Sequence, residues 1–126
     1  MRIVVVGAGV VGFHLAERLS AESHKMTIID SNSELIQRID DRLNVQAIQG
    51  NAASLRILRQ AKVDSADLVI AVTDRDETNI TVSLLAKHLG ASKCVVRLRN
   101  SELSGNAELM EKCGADASVN PIAVTA

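Results

Sequence analysis

The chain has 126 residues, the size of one domain with a single core, and is 47% hydrophobic and 1% aromatic with a formal net charge of −1. This near-neutral balance excludes a basic nucleic-acid-binding face, and with Phe13 as the only aromatic residue no base-stacking surface can be built. The longest apolar run, Ile3 to Phe13, falls far short of the ~20 residues that span a bilayer and makes a poor signal peptide, so the expectation is a cytoplasmic chain without direct membrane insertion.

The first element is a β-favouring run over residues 2–6 that leads into Gly7-Ala8-Gly9-Val10-Val11-Gly12, a G-x-G-x-x-G turn. Each glycine has its own task. Gly7 permits the tight turn, Gly9 lets the backbone approach a pyrophosphate, and Gly12 lets the following helix pack close to the strand. That helix, with Val11, Leu15, Ala16 and Leu19 on one face, points its unpaired N–H groups and positive dipole end at the anion. The six residues from Gly7 to Gly12 are therefore assigned to the phosphate cradle.

A second strand over 26–30 ends in Asp30, about 20 residues past the turn, where an acid can accept from both hydroxyls of an adenosine ribose. An acid here repels a 2′-phosphate, and Ser31, Asn32 and Ser33 supply no arginine to hold one, which favours NAD over NADP but leaves ATP, ADP and AMP equally compatible. Asp30 can instead simply cap the next helix, which opens with a Ser31-x-x-Glu34 capping box and continues through Leu35, Ile36 and Ile39.

A third strand over 45–49 leads to Gly50-Asn51-Ala52. Asn51 can address an adenine edge while the small Ala52 leaves room for the ring. Asn51 can equally serve as the N-cap of a helix starting near Ala52 and carrying Leu55 and Leu58. The fourth strand, 67–72, precedes Thr73-Asp74-Arg75-Asp76-Glu77-Thr78-Asn79. Thr73 can donate to a phosphate or ribose, Asp74 and Asn79 lie on the same edge, and Asp74-x-x-Glu77 also reads as an ordinary capping box. A helix over 76–89 follows, with Gly90 as its stop.

The fifth strand, 94–98, places Arg97 and Arg99 on one side of its pleat, either to counter a ligand's charge or to pair on the surface with Glu102 or Asp116. A fifth helix runs from after Ser101 to near Gly114, and a weaker sixth strand over 116–119 comes just before Pro121, the chain's single proline. Cys94 and Cys113, without CxxC spacing, read as reduced structural thiols, and His14, His24 and His88 have no ligand spacing, so no metal site is assigned.

Short continuous apolar strands alternating with helices imply an α/β fold: a Rossmann-type doubly wound sheet, six-stranded and mostly parallel, with helices on both faces. Residues 1–126 form one such unit, with no room for a separate substrate domain. No nucleophile–base pair has a recognisable context, so no catalytic residue is assigned.

Taken in order, Val5-Val6-Gly7-Ala8-Gly9-x-x-Gly12, Asp30, Gly50-Asn51-Ala52, Ala66-Asp67-x-x-Ile70-Ala71-Val72-Thr73-x-x-Asp76-Glu77-x-Asn79, Val96-Arg97-x-Arg99-Asn100 and Gly114-Ala115-Asp116-x-x-Val119-x-Pro121 form a pattern. It resembles the N-terminal nucleotide-binding lobe (RCK or KTN domain) of Trk/Ktr-type potassium-uptake regulators. The resemblance implies a non-enzymatic gating subunit that binds NAD(H) or ATP/ADP and assembles as a homo-oligomeric dimer or higher ring. It further implies a membrane potassium transporter or channel partner, on the inner face of the cell membrane. In several ATP-responsive relatives an arginine inside the glycine loop meets the terminal phosphate; here those positions are Val10 and Val11, which moves the expectation toward NAD(H). The family's C-terminal lobe is not seen in these residues. The alternative is the cofactor-binding domain of an NAD-dependent dehydrogenase whose catalytic domain lies elsewhere, and a purely structural module is a third reading.

Overall fold

Strand β1 (Arg2–Val6) is central because both of its faces are apolar, and Ile3, Val4, Val5 and Val6 are completely buried. In the computed structural model, which describes residues 1–120, it pairs in parallel with β2 (Lys25–Asp30) on one side and β4 (Leu68–Ala71) on the other. Val5 stands level with Ile28 and Ile70. With β3 (Gln46–Gln49), β5 (Cys94–Arg97) and β6 (Ala117–Val119) the sheet has six strands in the order β3-β2-β1-β4-β5-β6. Every pairing is parallel, so "mostly parallel" sharpens to all-parallel. The Rossmann-type architecture expected from the sequence is the one present. Pro121 lies outside the described residues.

The two faces make two cores. Ile3, Val5 and Ile28 face α1 (Val10–Ser20) and α2 (Ser33–Arg42) together with Phe13 and Ile39. Val4, Val6, Ile29 and Val96 face the opposite layer, built from α3 (Leu55–Gln60), α4 (Asp76–Leu89) and α6 (Ala107–Lys112). Each fully buried aliphatic side chain contributes roughly 1.5–3 kcal/mol. Two acids just before strands fasten neighbouring strand starts. Asp67 accepts from Arg2 N–H at 2.8 Å and Asp116 from Cys94 N–H at 2.7 Å, which explains why β4 and β6 begin one residue later than expected.

Helix starts depart most from expectation. The Ser31-x-x-Glu34 box does not form: Asn32 caps α2, accepting from the N–H groups of Glu34 and Leu35. α3 begins at Leu55 with Ser54 as its cap, so Asn51 is not the cap. The Asp74-x-x-Glu77 box is likewise absent, since Arg75 stands at the N-cap without a side-chain bond. The single fifth helix is two, α5 (Ser101–Ser104) and α6, because Asn106 accepts from Leu109 N–H and so starts a new helix. Gly90 does end α4, in the left-handed region with φ of 101°. Among the described residues no helix is long and apolar enough to cross a membrane.

Cys94 and Cys113 are both buried and unbridged. Burial first, then the Asp116 carboxylate and Cys113, push the Cys94 thiol from 9.0 up to about 12. The folded chain keeps a proton that the unfolded chain releases, so stability falls as pH rises between 9.0 and about 12. Urea midpoints measured across that range should decline in the wild type and decline less in Cys94→Ala.

Gly12 and Gly9 should also separate cleanly. A Cβ on Gly12 would lie 1.7 Å from the Gly7 carbonyl oxygen, whereas one on Gly9 meets nothing within 4 Å. Gly12→Ala is expected to cost about 3 kcal/mol or prevent folding, and Gly9→Ala about 1 kcal/mol or less, by chemical denaturation.

Candidate nucleotide site

The strand order reverses between β1 and β4, so their connections leave on opposite faces and a crevice opens at the carboxyl edge. Into this gap β1 delivers the glycine loop. Gly7 has φ of 113°, and a Cβ there would stand 3.0 Å from Thr73 N and Val72 C, so the loop lies directly on the β4–α4 connection. Gly12 brings α1 against the Gly7 carbonyl. The first helical bond of α1 runs from Phe13 N–H to the Gly9 carbonyl at 2.8 Å. The amides of Val10, Val11 and Gly12 precede it and have no acceptor within the helix. Gly9 is exposed with open space where a side chain would be. Packing does not require glycine there.

Asp30 ends β2 beside this loop. One carboxylate oxygen accepts from Ala8 N–H and the other from Asn32 N–H, each at 2.8 Å. A carboxylate has about four acceptor positions. Asp30 therefore ties the loop to β2 and still has lone pairs for two ribose hydroxyls. It does not act only as a helix cap, because Asn32 takes that task.

A cavity of about 260 Å³ lies between the loops after β2, β3 and β4. Small-molecule sites usually run roughly 300–1,000 Å³, so it suits part of a nucleotide. Asp30, Ser31, Asn51, Ala52, Thr73 and Asp74 line it, bringing six of the predicted residues together. Sequence reasoning did not assign Arg75 and Thr78 to this wall; Thr78 lies on the first turn of α4, where only the helix phase reveals it. Asn51 accepts from Ala53 N–H at 2.9 Å in a tight turn, which occupies its oxygen internally.

An adjoining groove of about 400 Å³ shares Asp74 and Arg75 with this cavity and reaches Arg99. β5 ends at Arg97, so pleat alternation does not extend to Arg99 and the two arginines differ. Arg99 is exposed, and its backbone N–H is held with that of Asn100 by the Asp76 carboxylate at 2.8 to 3.1 Å. Arg97 is half-buried. Its Nη1 donates to the Thr73 carbonyl at 3.4 Å, and its Nε is buried without a partner among the described residues. The surface pairings with Glu102 or Asp116 are not made: the described ion pairs involve neither arginine, and Asp116 accepts from Cys94.

Asn79 is 0% exposed, and its side chain is saturated. It accepts from Thr73 N–H and Oγ1–H and donates to the carbonyls of Thr73 and Arg97. It supports the edge from below and has no hydrogen-bonding capacity left for a ligand. A larger cavity, about 530 Å³, opens between α4 and α6 near Cys94 and Gly114 and contains none of the predicted site residues. Size alone thus points away from the crevice that the strand order creates, and the topology is the better guide. No cluster of three His, Cys, Asp or Glu suited to a metal is present among the described residues.

These features fit the phosphates and ribose of an adenine nucleotide: open amides at a helix N-terminus, room at Gly9 and an acid with free lone pairs. They define a Rossmann-type α/β domain with a candidate nucleotide site at the carboxyl edge of its sheet. The TrkA-N domain family model matches residues 3–121, and the chain belongs to that family. It is 46% identical over 102 residues to a Trk system potassium uptake protein TrkA homolog of Archaeoglobus fulgidus, covering 81% of this chain and 23% of that one. It is 34% identical over 116 residues to the TrkA protein of Vibrio alginolyticus, covering 91% and 25%. The chain thus spans about a quarter of the length of these curated relatives.

Among solved structures, the TrkA-N domain of the inner membrane protein ybaL from Escherichia coli superposes with a TM-score of 0.86 at 23% identity, covering 98% of this chain and 92% of that one. The GsuK channel bound to NAD gives 0.81 at 18% identity over 94% of this chain and 21% of that one. The AMP-bound Kef C-terminal domain of Shewanella denitrificans gives 0.80 at 17% identity over 99% and 74%. At these identities the likeness is one of fold.

Removing Asn79 breaks four internal hydrogen bonds and leaves the Thr73 N–H without its acceptor. Asn79→Ala should therefore cost at least about 2–3 kcal/mol in a urea titration. A loss under about 0.5 kcal/mol would show that the network does not hold this edge together.

Proposed function

We propose that residues 1–126 form a nucleotide-sensing lobe of a cytoplasmic regulatory subunit that binds NAD(H), or alternatively ATP/ADP, and gates a membrane potassium transporter or channel. The observation that carries this is the open space at Gly9 beside unpaired helix amides and Asp30. Family membership and the potassium-uptake names of the relatives support the regulatory role, and the NAD- and AMP-bound neighbours support the ligand class. Assembly as a homo-oligomer and attachment to the inner membrane face through the transporter belong to the same reading.

Gly7 to Gly12 would hold the phosphates through backbone N–H groups, with Gly9 admitting them. Asp30 would take the ribose hydroxyls, with Ser31 alongside it, and Asn51 with Ala52 would meet the base. Val10 is 73% exposed and uncharged, so the glycine loop counts no phosphates. The charges able to distinguish ligands at the far end are those of Arg97 and Arg99, next to Thr73 and Asp74. A ligand changes an assembly only by binding one arrangement better than another, which places the sensing groups there rather than in the common cradle.

Calorimetric titration of NADH, NAD⁺, ATP and ADP tests this. Asp30→Ala should weaken every ligand by about 10- to 100-fold, the loss of charged hydrogen bonds worth ~1.5–3 kcal/mol. Gly9→Ala should abolish binding while melting near the wild-type temperature. Undiminished binding in both variants would remove this crevice as the site, and oxidoreductase turnover with the bound cofactor would overturn the regulatory assignment.

A further inference from the structure

We propose that Asn79 is a positioning residue that couples a ligand on Thr73 to Arg97, an inference that rests on the nucleotide reading above. The Thr73 hydroxyl has one proton and two internal acceptors, Asn79 Oδ1 at 2.7 Å and the Arg75 carbonyl at 3.2 Å. Thr73 also lines the nucleotide cavity, so a phosphate or ribose oxygen there becomes a third acceptor. Turning the proton outward costs little inside the protein. Asn79 Oδ1 keeps the Thr73 N–H at 3.0 Å and is not orphaned.

The other half of the Asn79 amide faces Arg97. Nδ2 donates to the Thr73 carbonyl at 3.1 Å and to the Arg97 carbonyl at 2.8 Å. The same Thr73 carbonyl also receives Arg97 Nη1, at a long 3.4 Å. One buried side chain thus grips the backbone of both residues, and the Arg97 guanidinium has a weak bond and a buried unpartnered Nε beside it. When the hydroxyl releases Asn79, the amide is free to adjust toward its two carbonyl partners, and the acceptor that Arg97 shares with it adjusts as well. One turn earlier Asp76 holds the Arg99 and Asn100 amides, so the first turn of α4 carries both loops. Occupancy at Thr73 and the pose of Arg97 then change together.

The experiment uses the full chain and ADP. In ¹⁵N-labelled wild type, the Asn79 side-chain amide resonances should shift and saturate with ADP. Thr73→Val should abolish that shift at saturating ADP, and Thr73→Ser should restore it. In a double-mutant cycle on ADP affinity, the fold-losses of Thr73→Val and Arg97→Gln should fail to multiply, by about fivefold or more. An unmoved Asn79 amide, or losses that multiply, overturns the coupling while leaving the nucleotide site standing. Unchanged ADP affinity in both single variants overturns the coupling and the assignment of this edge to ligand reading together.

Discussion

The turn from β1 into α1 leaves no room for a side chain at Gly12, and the rest of the edge is built around that close approach. Gly12 thereby holds the start of α1 against the end of β1. The loop is then secured at three points, two on β2 and one after β4. Gly7 donates to Ile29 of β2, packs on the backbone of Val72 and Thr73 after β4, and is followed by Ala8, whose N–H is held by Asp30. A loop that offers only backbone groups has no side-chain rotamers to immobilise, so its rigidity must come from such neighbours.

Polar groups along this edge divide into two sets. Asn79 and Asp76 are spent inward, on backbone groups whose partners would otherwise be missing. The α1 amides, the Asn51 NH₂ and the Arg97 Nε are left without internal partners among the described residues. Of these the Arg97 Nε is the buried side-chain donor, and an unmade buried hydrogen bond costs about 1–3 kcal/mol. Their concentration at one sheet edge marks that edge as the candidate site. Asp30 belongs to both sets, since a carboxylate has acceptor positions for structure and ligand at once.

Much of this was legible in the chain. The strands were found within a residue or so because a parallel sheet covered on both faces demands continuous apolar runs, as in Ile3 to Val6 and Leu68 to Ala71. The capping residues were less legible. Ser31, Asn51 and Asp74 each stood near a helix start, but Asn32, Ser54 and no side chain at all took the caps. Neighbouring Ser, Asn and Asp residues compete for the same few N–H groups, and the chain path entering the helix decides among them. The break between α5 and α6 was hidden for the same reason, with Asn106 free to choose turn or helix until packing selected one.

The sequence by itself determined the strand–turn–helix at the N-terminus, the alternation of strands and helices, and the acid at the end of β2. These rest on local backbone freedom and on hydrophobic period, which act over a few residues. Only the tertiary structure decided which polar groups meet. Asn79 finds Arg97 across 18 positions and Asp76 finds Asn100 across 24, because the parallel pairing of β4 with β5 sets their loops side by side. Register, a property of the whole sheet, turned Asn79 from an expected ligand contact into a buried support of the loops after β4 and β5.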